Sequence, residues 1–359
     1  MREMMTARPG RPLRRRRVLG TGAAALAATL TRANIARAAP VELVLGTNGG
    51  DEYEVTYKAV YQRFEQKYNA KIVPVFGDGA TLLNRVIAEK SHPSMDVTVT
   101  YQGGWLIGQA QGVFDTVDYG NIPHIDEVYD FMKDPKGYAP FVNFGAWGIV
   151  YDHDTVKTPP TSFKSLWQPQ YYNQIMIGGI YHWQIHLTAF AYAWTGKQAN
   201  IDVAFQKVKE LAPHLAAFYG LSSDTQSKFE QGIASIATWY SYTTQRLRNA
   251  GMNLLFQFPE EGAFIYPISF QAIKGTKKLD LVEKLIGEFY DPQACIALAR
   301  LNGYIPANRN TTLPPDLKSQ ILSYDQVLKS HSWDWALINA QQDAWLTRWN
   351  AEVRPLVRG

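Results

Sequence analysis

The sequence predicts an α/β protein of two units, each a largely parallel sheet flanked by helices. Three observations carry that prediction. Short β-branched runs alternate with segments of helical apolar spacing, once over about 41–105 and again over about 150–260. A strand–helix–strand order requires crossovers, which are right-handed and lay successive strands parallel. The length, 359 residues with 46% apolar side chains, suffices for two cores of ordinary size.

Residues 1–38 read as an export signal outside the fold. Arg14 to Arg17 form a basic start, and Val18 to Leu30 are apolar and uncharged, too short for a span of ~20 residues. Ala36-Arg37-Ala38 offers a cleavage site. The arginines before Val18-Leu19 resemble a twin-arginine signal with Arg15-Arg16 as the pair, although Arg14 and Val18 depart from its usual residues. An ordinary secretory signal with extra arginines is the other reading. The leader holds nine of the 36 basic residues and one of the 32 acids. The formal charge of +4 therefore turns negative in the remainder, with 27 bases against 31 acids, and no basic stripe points to nucleic acid. Cys295 is the single cysteine, so no disulfide forms within the chain, and none stands at the cleavage site to carry a lipid. The expectation is a soluble, monomeric protein of the periplasm, with Cys295 as a small core residue of an apolar helix.

The elements follow in order. Val41 to Gly46 is the first strand, and a turn-rich loop from Thr47 to Tyr53 opens a helix to about Tyr68 with Tyr57, Val60, Tyr61 and Phe64 at helical spacing. Asp51 and Glu54 are spaced as a capping box, so Asp51 is either a helix cap or a ligand contact. Lys71 to Phe76 is the second strand, and a helix carrying Leu82, Leu83, Val86 and Ile87 leads to the third, Val97 to Thr100. That strand runs into Tyr101-Gln102-Gly103-Gly104-Trp105, and ligands of open α/β sheets bind outside such carboxyl ends. Phe141 to Asp152 is long, extended and apolar; Ser162 or Thr161 caps the segment from Phe163 to Trp167. Strands at 174–178, 234–239, 253–258 and 264–273 and helices at about 185–195, 202–211, 224–231, 280–290 and 292–301 complete the pattern, with a helical tail bearing Trp345 and Trp349 one turn apart.

Enzyme signatures are missing: the chain has no G-x-S-x-G elbow, no H-E-x-x-H and no phosphate-binding loop. No cofactor and no resident metal is expected. His182 and His186, four apart, could reach one metal from a helix, or could line a pocket and pack. The stronger pattern is aromatic. Tyr53, Tyr101, Trp105, Tyr181, Trp183, Trp239, Tyr240, Tyr266 and Tyr304 fall in loops or at strand ends, where large apolar faces with polar tips suit the enclosure of a small solute.

Several motifs in order and spacing resemble the spermidine/putrescine-binding family of ABC-transporter solute-binding proteins. They are Asp96 to Val99, Gly145 to Tyr151, Ser162 to Trp167, Ser235 to Trp239, Pro259-Glu260-Glu261-Gly262 and Gly303 to Asn308. The resemblance covers position 41 to the C-terminus. It implies a two-lobed type II periplasmic-binding-protein fold, with lobe one at 41–145 plus 265–310 and lobe two at 146–264 plus 311–359. It also implies a ligand in the cleft between lobes and a membrane permease as partner. Tyr53, Tyr101, Trp239 and Tyr266 fall on aromatic or hydroxyl positions of that family. With Asp51, Gln102, Trp147, Tyr181, His182, Trp183, Tyr240 and Tyr304 they make the expected ligand-contact set. Two departures weigh against a polyamine: Ile268 stands where the family has an acid, and Gly179 to Trp183 offer none after the second-lobe strand. A buried ammonium without a partner is costly, so the expected solute carries less positive charge: a mono-amine, an opine-like or amino-acid derivative, or an organic acid touching His182. A ferric carrier using Tyr240 and Tyr242, or an exported metal-dependent hydrolase using His182 and His186, are the alternatives.

Overall fold

Every residue of the strand Val97–Thr100 is buried, as befits a strand covered on both faces. In this computed structural model, which describes residues 39–101, 103–179, 182–220 and 222–357, that strand (β3) follows β1 (Val41–Thr47) and β2 (Ala70–Phe76). The three are parallel in the order β2-β1-β3. The export-signal reading of residues 1–38 lies outside the described residues, as do the expected contacts Gln102 and Tyr181.

Asp96, just ahead of β3, ties this half together. Its carboxylate accepts from the Val44 amide at 2.8 Å, from Thr276 at 2.9 Å and from Lys278 at 2.9 Å. The helical stretch after β1 runs from Asp51 to Tyr68 with a π-helical section, Tyr57–Tyr61, in its middle. Its N-cap is Gly50 at φ 66°, with no side-chain cap bond. Asp51 is therefore not the cap that its spacing to Glu54 suggests. It stands exposed in the first turn, where a negative charge meets the positive end of the helix dipole.

The sheet is mixed, because two long strands join its halves. These are β4 (Phe141–Asp152) and β9 (Phe264–Ala272). β9 is antiparallel to both β3 and β4. The first half of β4 pairs with β9. Its second half pairs with β7 (Ile236–Tyr240) and β8 (Leu254–Gln257). β5 (Ile175–Gly178) then adds parallel to β7, and β6 (Ala217–Tyr219) parallel to β5. A two-residue β10 (His331–Ser332) pairs with the start of β9. Pro267 of β9 falls after the β10 pairing and before the β3 pairing, a gap suited to a residue without an amide hydrogen.

Two hydrophobic cores result. One gathers Leu43 to Ala146 with Ile265 and Ile268 to Val327; the other gathers Trp147 to Leu254 with Phe264, Tyr266 and Trp333 to Val353. β4 thus changes core between Ala146 and Trp147. The tail divides as well: Leu317, Ile321, Leu322 and Val327 join the first core, and the chain enters the second only at Trp333. Cys295 is buried and its thiol sits 3.3 Å from the Phe289 carbonyl. Trp345 and Trp349 are buried in the second core, as their helical spacing suggests.

Two of the sequence motifs hold each other. Glu261 of the Pro-Glu-Glu-Gly turn accepts from the Ser162 hydroxyl and from the Phe163 amide at 3.0 Å, and Thr161 donates to Glu260 at 2.6 Å. Ser162 caps the short helix Phe163–Trp167 by accepting from the Lys164 amide.

Candidate functional site

The carboxyl end of β3 delivers Tyr101 to the region where the cores meet; its ring packs against both. The turn that follows needs Gly103, at φ 74°, in the left-handed region. A Cβ there would lie 2.6 Å from Cβ of Trp335. Asn339 closes the approach by donating to the Gly103 carbonyl at 3.2 Å. The turn of the first core is thereby held against the helix Trp335–Arg348.

Around Tyr101 gathers a carboxylate that the expected set omits. Glu52 Oε1 accepts from the Tyr304 hydroxyl at 3.1 Å and from the Tyr101 hydroxyl at 3.4 Å, and Oε2 accepts from the Asn48 amide at 2.9 Å. Asn48 also donates to the Tyr101 hydroxyl at 2.9 Å. Among the described residues, Glu52 has no cationic partner. Tyr304 reaches it because Gly303, at φ 72°, ends the helix Pro292–Asn302 against the backbone of Tyr242.

Aromatic rings extend from that carboxylate into the second core. Tyr304 stacks on Tyr242 at 5.0 Å, Tyr242 on Tyr240 at 5.3 Å, and Tyr240 meets Tyr266 at 4.6 Å. The Tyr240 hydroxyl lies 3.1 Å from Nδ1 of His182. Burial pushes the phenols of Tyr101, Tyr240, Tyr242 and Tyr304 well above their usual range. The nearby Glu52 charge adds to the rise in Tyr101, Tyr242 and Tyr304. At neutral pH they are uncharged hydroxyls. Burial lowers the His182 imidazole to about 4, so it too is neutral. His182 adopts φ 66° at the start of the helix Trp183–Thr195; a non-glycine residue there stores strain.

The structure thus brings together Tyr101, His182, Tyr240, Tyr266 and Tyr304 of the expected set. Tyr53 is half-buried against Tyr57, Tyr61 and Phe76. The three tryptophans are placed elsewhere. Trp147 is fully buried against Phe163, His186 and Trp333. Trp183 packs on Trp349, and Trp239 on Tyr219. All three belong to the second core, and Trp105 packs on Phe141. Glu52 escaped the sequence reading because Asp51, Glu52 and Glu54 together look like first-turn helix charge.

The two-histidine metal site is corrected by hydrogen bonding. His186 Nδ1 sits 2.7 Å from the His182 carbonyl, which only accepts, so Nδ1 carries the proton. Nε2 accepts from the Gly178 amide at 3.2 Å and lies 2.7 Å from the Thr238 hydroxyl. Both nitrogens are committed and the ring is fully buried; burial holds its pKa down at about 3. No lone pair remains for a metal. Among the described residues, no three or more of His, Cys, Asp and Glu gather as a metal-holding set.

Two α/β lobes with mixed sheets, joined by β4 and β9 and meeting at an aromatic cluster, define a type II periplasmic-binding-protein architecture. An ABC transporter structure from Clostridium perfringens superposes with a TM-score of 0.74 at 22% identity, covering 87% of this chain and 99% of that one. An ABC transporter substrate-binding protein from Bradyrhizobium japonicum does so with a TM-score of 0.74 at 19% identity, covering 87% and 99%. The family model for bacterial extracellular solute-binding proteins matches residues 95–335, and the chain belongs to that family. The spermidine/putrescine-binding periplasmic protein of Salmonella typhimurium is 25% identical over 174 residues, which is 47% of this chain and 49% of that one. The chain therefore spans about half the length of the curated relatives it matches.

Proposed function

We propose that this chain is the periplasmic substrate-binding component of an ABC uptake transporter, capturing a small amine-bearing organic solute and presenting it to a membrane permease. The observation that carries this reading is Glu52. A carboxylate held only by neutral donors, beneath stacked tyrosines, is an electrostatic site for one ammonium group. Aromatic faces supply the apolar enclosure, and neutral hydroxyls supply directional bonds. The family membership and the two-lobed fold support transport, with β4 and β9 as the strands about which the lobes close on the solute. In this reading the site binds and performs no reaction.

The single carboxylate favours one ammonium over the two of a diamine. Thermal-shift measurements against amines, diamines and amino-acid derivatives test this. A bound solute raises the melting temperature by mass action. Glu52→Gln is expected to weaken binding of the stabilising amine at least about tenfold while the empty protein melts close to wild type. Equal affinity in Glu52→Gln would refute the assignment.

A further inference from the structure

We infer that the solute is a zwitterion, its ammonium on Glu52 and its carboxylate on Arg246. This rests on the reading of the Glu52 cluster as the solute site and adds a second pole to it. Arg246 lies on the helix Ser241–Asn249, four residues after Tyr242 and so on the same face one turn along. Tyr242 is the ring stacked on Tyr304, whose hydroxyl bonds Glu52. Two opposite charges therefore flank one tyrosine. The Glu52 charge raises the Tyr242 phenol and the Arg246 charge lowers it.

The two do not pair with each other. Among the described residues, the Arg246 guanidinium forms no ion pair and no side-chain hydrogen bond, although the residue is half-buried. A half-buried arginine whose guanidinium has no acceptor offers a fork of donors shaped for a carboxylate. An amine alone would neutralise Glu52 and leave Arg246 unmatched. A diamine would place its second ammonium in the same small cluster, and that cluster holds an arginine. Glu52 and Arg246 together explain the absence of the acids that a dication needs: Ile268 follows Tyr266 where one would help, and the other charged pole is positive.

The test is calorimetric titration of the whole chain with a matched series: straight-chain amino acids with amino and carboxyl groups at opposite ends, two to six carbons long, the amines lacking the carboxyl group, and the acids lacking the amino group. The expected result is that one length of amino acid binds, with the matched amine and acid each weaker by at least about tenfold. Arg246→Gln should remove the preference for the amino acid over the matched amine. Arg248→Gln, two residues on and off the Tyr242 face, should preserve the discrimination. Amines binding as tightly as amino acids, or Arg246→Gln leaving their ratio unchanged, would overturn the inference while the amine-capture reading stands. Binding of neither class to the wild type would overturn both.

Discussion

At the scale of single residues, the site depends on which side of a strand each aromatic takes. Trp239 and Tyr240 are successive residues of β7, so they point to opposite faces of the sheet. Tyr240 joins the tyrosine stack while Trp239 packs on Tyr219. The sequence shows both as strand-end aromatics and cannot tell the faces apart, since both faces of this sheet are covered. Glu52 was hidden for a different reason: its role comes from Tyr101 and Tyr304, 49 and 252 positions away.

His186 gives a prediction at this scale. Its buried ring resists protonation in the folded chain, whereas in the unfolded chain it takes a proton near its ordinary 6.5. A histidine with a lowered folded pKa contributes fully above 6.5, and the contribution is lost as pH falls from 6.5 toward 3. Denaturant melts of wild type and His186→Gln should show the variant less stable at pH 7.5 by roughly 2–4 kcal/mol, from lost packing and unmet polar partners. That gap should narrow as pH drops below 6.5. A constant gap between pH 7 and 4 would mean the ring is accessible to protons in the folded state.

At the scale of elements, strands of four residues or more are legible and the two shortest are not. The run Phe141 to Asp152 is continuous and apolar, and it is β4 from end to end. β6 has three residues and β10 two, too few for any periodicity to register. The helix start at Gly50 was misread because an acid three residues before another mimics a cap, while the glycine's positive φ does the turning. The Gly103 turn invites a direct test. Gly103→Ala must place a Cβ against Trp335 and hold alanine in the left-handed region. The expected cost is about 1–2 kcal/mol from the backbone alone, with the clash added, measured by chemical denaturation. A neutral result would mean that the turn relaxes freely and does not hold the tail helix.

At the scale of the whole molecule, the alternation of strands and helices showed two α/β halves, and the split of β4 and β9 between cores gives that division its physical form. The tail was the part least legible. A helical stripe says that a segment packs, but it does not say on which core, and here the last forty residues serve both. Trp335 marks the change. Its ring lies 6.4 Å from Tyr266 of the tyrosine cluster and 5.9 Å from Trp333, while its Cβ backs onto the Gly103 turn of the other core. An indole in that position senses any shift of one lobe against the other. The chain therefore carries its own optical gauge of loading: intrinsic fluorescence should change on solute addition, and Trp335→Phe should remove most of that change.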